Sequence, residues 1–276
     1  MALEFVKYHG LGNDFIIVED FKEVLLPQGG LLAKALCHRQ FGIGADGLVL
    51  ITRAAGLYTM RIFNADGSEA EMCGNAIRCV ADYLIGEGLA SGSAIRVGSL
   101  SGEKEISVSG EQYTVNMGEP DFSFAKGEAV EILSHGTAWS AYPVSMGNPH
   151  AVIFVDYLAE LDFELWGPRL ESAREWSAGS NVEFVQVLSP SHIKVKVWER
   201  GAGPTLACGT GACAAAAAAA RHGLVHKLTE DAVKVSLPGG DLAIYGDGDN
   251  HIYMVGPAVR VFSGRIDISQ IEGVEK

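Results

Sequence analysis

An α+β protein made of two similar domains, each a mostly antiparallel sheet, is the fold class this sequence predicts, and three observations predict it. Segments recur at a fixed shift: 135 residues separate Cys73 from Cys208, and the same shift pairs Gly12-Asn13 with Gly147-Asn148, Gly44-Ala45-Asp46 with Gly179-Ser180-Asn181, Phe63-Asn64 with Trp198-Glu199, and Gly74 with Gly209. That shift is close to half of the 276 residues, so the chain reads as two copies of one pseudo-symmetric unit. Within each copy, short apolar strand segments surround one prominent helix, which argues against a parallel doubly wound sheet.

The first copy opens with a strand over Glu4 to Val18, broken by the turn signal His9-Gly10-Leu11-Gly12. The spacing predicts a helix over Leu31 to Gln40, then strands at Leu48 to Thr52 and Met60 to Phe63, leading into the loop Asn64-Ala65-Asp66-Gly67. From Gly74 to Ile85 the apolar period is helical, and Gly86 and Gly88 end it. Strands at Ala94 to Val97, Glu105 to Val108 and Tyr113 to Met117 complete the copy.

The second copy replays the order, with a strand over Val144 to Val155, a helical stretch over Glu164 to Trp176, and strands at Val182 to Val187 and His192 to Trp198. A helix over Gly209 to His222 and strands near Val233, Leu242 and Ile252 follow. Alanine has the highest helix propensity, so the Ala-rich stretch reads as a buried central helix wrapped by a curved sheet. The crossover falls at Gly118-Glu119-Pro120. This gives an N-terminal domain over residues 1–118 and a C-terminal domain over 119–260, with the tail 261–276 folding back onto the first.

Hydrophobic residues make up 48% of the chain, enough to fill a core in each copy. The net charge of −13, with no block of Lys or Arg, speaks against nucleic acid or an anionic membrane surface as partner. The N-terminus MALEFVKYHGLGNDF has no apolar signal core. The apolar run Ala212 to Ala220 is far short of the ~20 residues that span a bilayer. Five cysteines without a secreted spacing read as free thiols in a reducing cytoplasm. The partner expected is a small molecule; a homodimer is left open.

Gly42-Ile43-Gly44-Ala45-Asp46-Gly47 matches a dinucleotide fingerprint by letter, but a helix precedes it and a strand follows. The fingerprint needs the reverse order, so the segment reads as a helix-to-strand turn. Gly201-Ala202-Gly203-Pro204 lacks the Gly-Lys-Ser/Thr of a P-loop. Cys73 and Cys79 have five residues between them, and Cys208 and Cys213 have four, with no histidine beside either pair. Structural zinc pairs ordinarily have roughly two to four, so no metal is expected. Cys37, Cys79 and Cys213 read as buried, inert thiols.

Cys73 and Cys208 differ from these. Each precedes a glycine and a small polar residue where a loop enters a helix. Unpaired N–H groups and the helix dipole favour negative charge there, so each thiol is expected to have its pKa lowered toward neutrality. The N–H groups of Gly74, Asn75, Gly209 and Thr210 are placed to hold a carboxylate. Asn13, Asn64, Asn148 and Asn181 are turn residues singly and a hydrogen-bonding pocket as a set. Arg200, beside Glu199, suits a bidentate carboxylate, and His150 either is a satisfied core histidine or tunes a thiol. Two like thiols facing each other across a pseudo-twofold cleft suit a stereochemical inversion, one removing a proton from one face of a carbon and the other returning one to the opposite face. A thiol redox or metal-binding protein is the rival of another class.

The segments FNADGSEAEMCGN around Cys73, ERGAGPTLACGTGACA around Cys208, HGLGNDF, GNPH at 147–150 and GSNVEF at 179–184 together resemble diaminopimelate epimerase across essentially the whole chain. The resemblance implies an isomerase without pyridoxal phosphate or metal that interconverts LL- and meso-diaminopimelate. It implies two β-barrel-like domains around central helices, with the site in the cleft between them. It makes Cys73 and Cys208 the acid/base pair. Asn13, Asn64, Gly74, Asn75, Asn148, Asn181, Glu199, Arg200, Gly209 and Thr210 become substrate-binding positions, and His150 and Glu199 modulate the thiols. Ala76, Pro204 and Gly47 depart from residues common in the family. A related racemase acting on another amino acid is the runner-up, disfavoured by Asn64, Asn181 and Arg200, which suit a second amino-acid head.

Overall fold

The structure, a computed structural model, describes residues 2–54, 56–229 and 231–271; residues 272–276 of the tail expected to fold back lie outside them. The chain forms two compact units, one from the described residues of Met1–Val115 and Gly256–Lys276, the other Asn116–Val255. Both are α+β, mostly sheet with few helices. No helix among the described residues is long and apolar enough to cross a membrane.

In the first unit, β1 (Ala2–Gly10) turns at Leu11-Gly12 into β2 (Asn13–Glu19), and β2 leads through α1 (Gly29–Leu36) to β3 (Gly47–Ala54). Next come β4 (Leu57–Asn64), the short β5 (Glu69–Ala70), α2 (Gly74–Gly86), β6 (Ala94–Ser99), β7 (Gly102–Ser109) and β8 (Gln112–Gly118). The second unit holds β9 (Val130–Ser134), β10 (Thr137–Ser145), β11 (Pro149–Phe154), α3 (Phe163–Glu171), β12 (Asn181–Ser189) and β13 (His192–Glu199). It continues through β14 (Gly203–Thr205), α4 (Gly209–Arg221), β15 (Val233–Leu237), β16 (Gly240–Gly246) and β17 (Ile252–Pro257). The last strand, β18 (Val259–Asp267), returns to pair antiparallel with β1, Ala2 opposite Asp267.

The two sheets repeat one pattern. Antiparallel pairs run β18/β1, β1/β2, β3/β4, β6/β7 and β7/β8, and the exceptions are parallel β2/β3 and β4/β6. In the second unit, β9/β10, β10/β11, β12/β13 and β15/β16 and β16/β17 are antiparallel, with β11/β12 and β13/β15 parallel. Thus β18 occupies in the first unit the place of β9 in the second, which is why the tail must return.

Each unit carries one helix on either face of its sheet. In β2, Ile16 and Val18 join Leu32, Ala33 and Leu36 of α1 in one apolar cluster; strand alternation then sends Phe15 and Ile17 to the other face. There α2 lies against β1, β2, β4, β6 and β18, burying Ala76, Ile77, Val80 and Leu84 completely. Helix α4 lies likewise against β10 to β13, β15 and β16, with Ala212 to Ala219 buried almost throughout.

Three elements differ from the sequence reading. Helix α1 stops at Leu36 rather than Gln40 because the Leu36 carbonyl accepts from the N–H groups of Ile43 and Gly44 at 2.8 and 3.0 Å. A Cβ at Gly42 would lie 2.3 Å from the Ala35 oxygen, so only glycine passes there. Helix α3 ends at Glu171, where Ser172 Oγ donates to the Pro168 carbonyl at 2.7 Å. The single strand expected over Val144 to Val155 is a hairpin, reversing at Gly147 with φ 91° as β1/β2 reverses at Gly12 with φ 84°; a side chain rarely tolerates that left-handed backbone.

Candidate active site

Cys73 caps the N-terminus of α2 with an extended backbone, φ −142° and ψ 122°. Its sulfur, half-buried, donates toward Asn13 Oδ1 at 3.8 Å. The same oxygen accepts from Asn75 Nδ2 at 3.1 Å, and Asn13 Nδ2 donates to Asp46 Oδ2 at 2.8 Å. Beneath them Arg78, with 0% of its surface exposed, donates to the Gly74 carbonyl, to Asn75 Oδ1 and to the Pro257 carbonyl at 3.1, 2.9 and 3.1 Å. Asp46 is gripped from the solvent side by Arg39, which also holds Asp14, itself paired with Lys7. Those pairs lower the Asp14 carboxyl despite its burial.

Cys208 caps α4 in the same extended conformation, φ −118° and ψ 114°, and accepts from the Gly211 N–H at 3.4 Å. Thr210 Oγ1 lies 3.5 Å from the sulfur and takes a hydrogen bond from Asn148 Nδ2 at 3.4 Å. Asn148 Oδ1 is 3.0 Å from His150 Nε2, and His150 Nδ1 is 2.7 Å from Glu183 Oε1. His150 and Glu183 are fully buried, and Glu183 Oε2 has no hydrogen-bond partner among the described residues. A Cβ at Gly211 would stand 2.6 Å from Glu183 Oε1 and 3.3 Å from the sulfur, so glycine lets carboxylate and thiol share the helix start. Glu199, at the end of β13, accepts from Thr205 Oγ1 at 2.6 Å, and its charge acts on the Cys208 thiol.

The expectation of a thiol pKa lowered toward neutrality fails at Cys208. Burial, then Glu199 and Glu183, push it well above the ordinary thiol value, and the hydrogen bonds from Thr210 and Gly211 recover only part of that. The helix start acts as expected, but desolvation and two carboxylates outweigh it. Burial also raises Glu199 above the usual carboxylate range. Cys37 is pushed up to about 12 by burial, and Cys79 and Cys213 are wholly buried within α2 and α4.

Among the remaining sequence-predicted positions, Gly74 and Asn75 open α2, and Gly209 and Thr210 open α4. Asn64 ends β4, exposed, and donates to Ser68 Oγ at 3.0 Å. Asn181 makes one backbone bond at each end of its amide, donating to the Pro149 carbonyl and accepting from the Arg200 N–H, with a second position left at each end. The exposed Arg200 side chain reaches the Ala178 carbonyl at 3.4 Å. Sequence reasoning passed over Arg78, Asp46 and Glu183. The available signal was charge on a buried face, since Arg78 sits in the apolar helix Ile77-Arg78-Cys79-Val80 and Glu183 in the apolar strand Val182-Glu183-Phe184. Among the described residues no group of three His, Cys, Asp or Glu side chains is placed to hold a metal ion.

Comparison with known proteins agrees with these motifs. The model of the diaminopimelate epimerase family matches residues 5–123 and 142–261. A diaminopimelate epimerase of Desulfitobacterium hafniense is 46% identical, covering 95% of this chain and 97% of that protein. One of Pelotomaculum thermopropionicum is 47% identical, covering 95% and 98%. Among solved structures, a phenazine biosynthesis protein of the PhzF family from Bacillus anthracis has TM-score 0.74 at 15% identity, covering 97% of this chain and all of the other. A probable proline racemase from Agrobacterium radiobacter has TM-score 0.74 at 13% identity, covering 98% and 94%. These two establish the two-domain α+β fold alone. With a family model over most of its length and near-full-length relatives, the chain belongs to the diaminopimelate epimerase family.

Proposed function

We propose that this chain interconverts LL- and meso-diaminopimelate in the supply of lysine and peptidoglycan precursors, with Cys73 and Cys208 as the two acid/base groups. One observation carries the reading: two cysteines 135 residues apart in the sequence each cap a thirteen-residue helix. Each cap also has an asparagine from the preceding hairpin, Asn13 or Asn148, beside the helix start. Two groups invert a carbon directly, one taking the α-proton and the other delivering a proton to the opposite face, whereas a single base tends to return it where it left. The raised Cys208 thiol supports its serving as acid in one direction, with Cys73 as base, and the roles exchange in the other. Titration then belongs to the pair.

The first-turn N–H groups of Gly74, Asn75, Gly209 and Thr210 hold the carboxylate at the reacting centre, where charge builds in the carbanion-like state. Asn64, Asn181, Glu199 and Arg200 recognise the rest of the substrate. Neither pyridoxal phosphate nor metal takes part, and the enzyme works in the cytoplasm.

The test is substitution of each thiol. Cys73→Ala and Cys208→Ala should each lower epimerisation by more than about a hundredfold, the lower end of general acid/base contributions, with unchanged thermal unfolding. Either variant retaining more than about a hundredth of the rate removes that cysteine from the mechanism.

A further inference from the structure

We infer that Arg78 and Asp46 are positioning residues for Cys73, fixing a one-way chain of hydrogen bonds that turns the carbonyl oxygen of Asn13 toward the sulfur. The inference deepens the function proposed above and rests on it for its catalytic meaning.

An asparagine side chain is ambiguous, since its oxygen accepts and its nitrogen donates in nearly the same shape. Its orientation is set by whatever neighbours cannot switch roles. Arg78 is an obligate donor and the Asp46 carboxylate an obligate acceptor, and they stand at opposite ends of one chain. Arg78 Nη2 donates to Asn75 Oδ1 at 2.9 Å, Asn75 Nδ2 to Asn13 Oδ1 at 3.1 Å, and Asn13 Nδ2 to Asp46 Oδ2 at 2.8 Å. With both ends fixed, neither amide can flip without setting donor against donor. Asn13 therefore presents Oδ1 to Cys73, where the thiol donates to it at 3.8 Å.

The second unit turns its asparagine the other way. Asn148 gives Oδ1 to His150 and Nδ2 to Thr210 at the helix start. At the place of Arg78, 135 residues on, stands Cys213, and at that of His150, 135 residues back, stands Phe15. The two sulfurs therefore sit in unlike settings within like folds. An acceptor facing Cys73 stabilises its S–H form, which makes its thiolate a stronger base; the abstracted proton goes to the sulfur, and Asn13 Oδ1 accepts the hydrogen bond of the thiol so formed.

The experiment is Asp46→Asn, with Asp14→Asn as control. Asp46 is partly exposed, its side chain at 42%, and an amide of equal size leaves the packing intact. Arg39 holds Asp46 Oδ1 at 2.7 Å, so the new amide keeps its oxygen there and turns its nitrogen to Asn13. That places donor against donor at Asn13, and at the Asp14 N–H that also donates to Asp46 Oδ2. It also removes the acceptor that held Asn13, so the amide loses its single orientation and its nitrogen turns toward Cys73 for part of the time. Iodoacetamide labelling of Cys73, read by peptide mass spectrometry at fixed pH, should then run about tenfold faster, the equivalent of one pK unit, with labelling of Cys208 unchanged. At the same time kcat/KM should fall about tenfold.

Asp14→Asn removes one charge from the same cluster but leaves the Asn13–Asp46 bond, and should change Cys73 labelling less than about twofold. Equal acceleration in both variants would show simple charge removal, and no acceleration in Asp46→Asn would show that Asn13 does not face the sulfur by constraint; either overturns the inference. Labelling requires no turnover, so it reads the chain even if Cys73→Ala proves active and the functional reading fails.

Discussion

Burial decides what the thiol of Cys208 is at rest. Sulfur at a helix start ordinarily gains from N–H groups and the dipole, but Glu199 and Glu183 stand beside this one inside the protein and hold its proton on. Glu199 is the larger of these two electrostatic causes. Replacing it by Gln removes a negative charge, so the Cys208 pKa should fall and its thiolate should become more populated at any given pH. Labelling of Cys208 with iodoacetamide near pH 8 should accelerate in Glu199→Gln; a rate equal to the parent's would mean that Glu199 does not raise the thiol. The sequence made Cys73, Cys208 and their asparagines legible because they recur at one shift. It did not make Arg78, Asp46 or Glu183 legible as a set, because their partners come from distant strands. A lone buried charge has no periodic signature, and the environment that raises Cys208 exists only after β11, β12 and β13 pair.

At the scale of elements, α2 and α4 begin alike and differ in girth. Where α2 carries Ile77, Val80 and Leu84, α4 carries Ala212, Ala215 and Ala219, all wholly buried. Small side chains let the surrounding strands approach the helix backbone, and close packing leaves no room for a larger one. Ala216→Leu should destabilise the protein by about 1–3 kcal/mol through overpacking, measured as a lower denaturant midpoint; an unchanged midpoint would mean a cavity beside α4. Both central helices were legible because a glycine-rich start and a helical apolar period coincide. The hairpin β10/β11 was not, since its reversal is marked only by the short turn Gly147-Asn148-Pro149 ahead of the apolar run Ala151 to Val155. The ends of α1 and α3 were also hidden, because donors to their last carbonyls, the Ile43 and Gly44 N–H groups at Leu36 and the Ser172 hydroxyl at Pro168, stop them rather than propensity.

For the whole molecule, the repeat read from sequence matches the strand plan of both units, down to the parallel pairs β2/β3 and β11/β12. What the sequence shift could not reveal is that β18 fills the place in the first unit that β9 fills in the second. A strand supplied from the far end of the chain leaves no mark in local periodicity. Two like units carrying two unlike thiol settings are the central claim for catalysis, and hydrogen exchange with solvent tests it most directly. LL-diaminopimelate should be turned over in heavy water for less than one equivalent of reaction, and the α-hydrogens of product and remaining substrate analysed by mass spectrometry. If one thiol abstracts and the other delivers, the meso product carries deuterium at the inverted centre while unreacted LL substrate keeps its hydrogen. Product that retains the original hydrogen, or substrate that gains deuterium as fast as product forms, would mean that a single base serves both faces and would contradict the account.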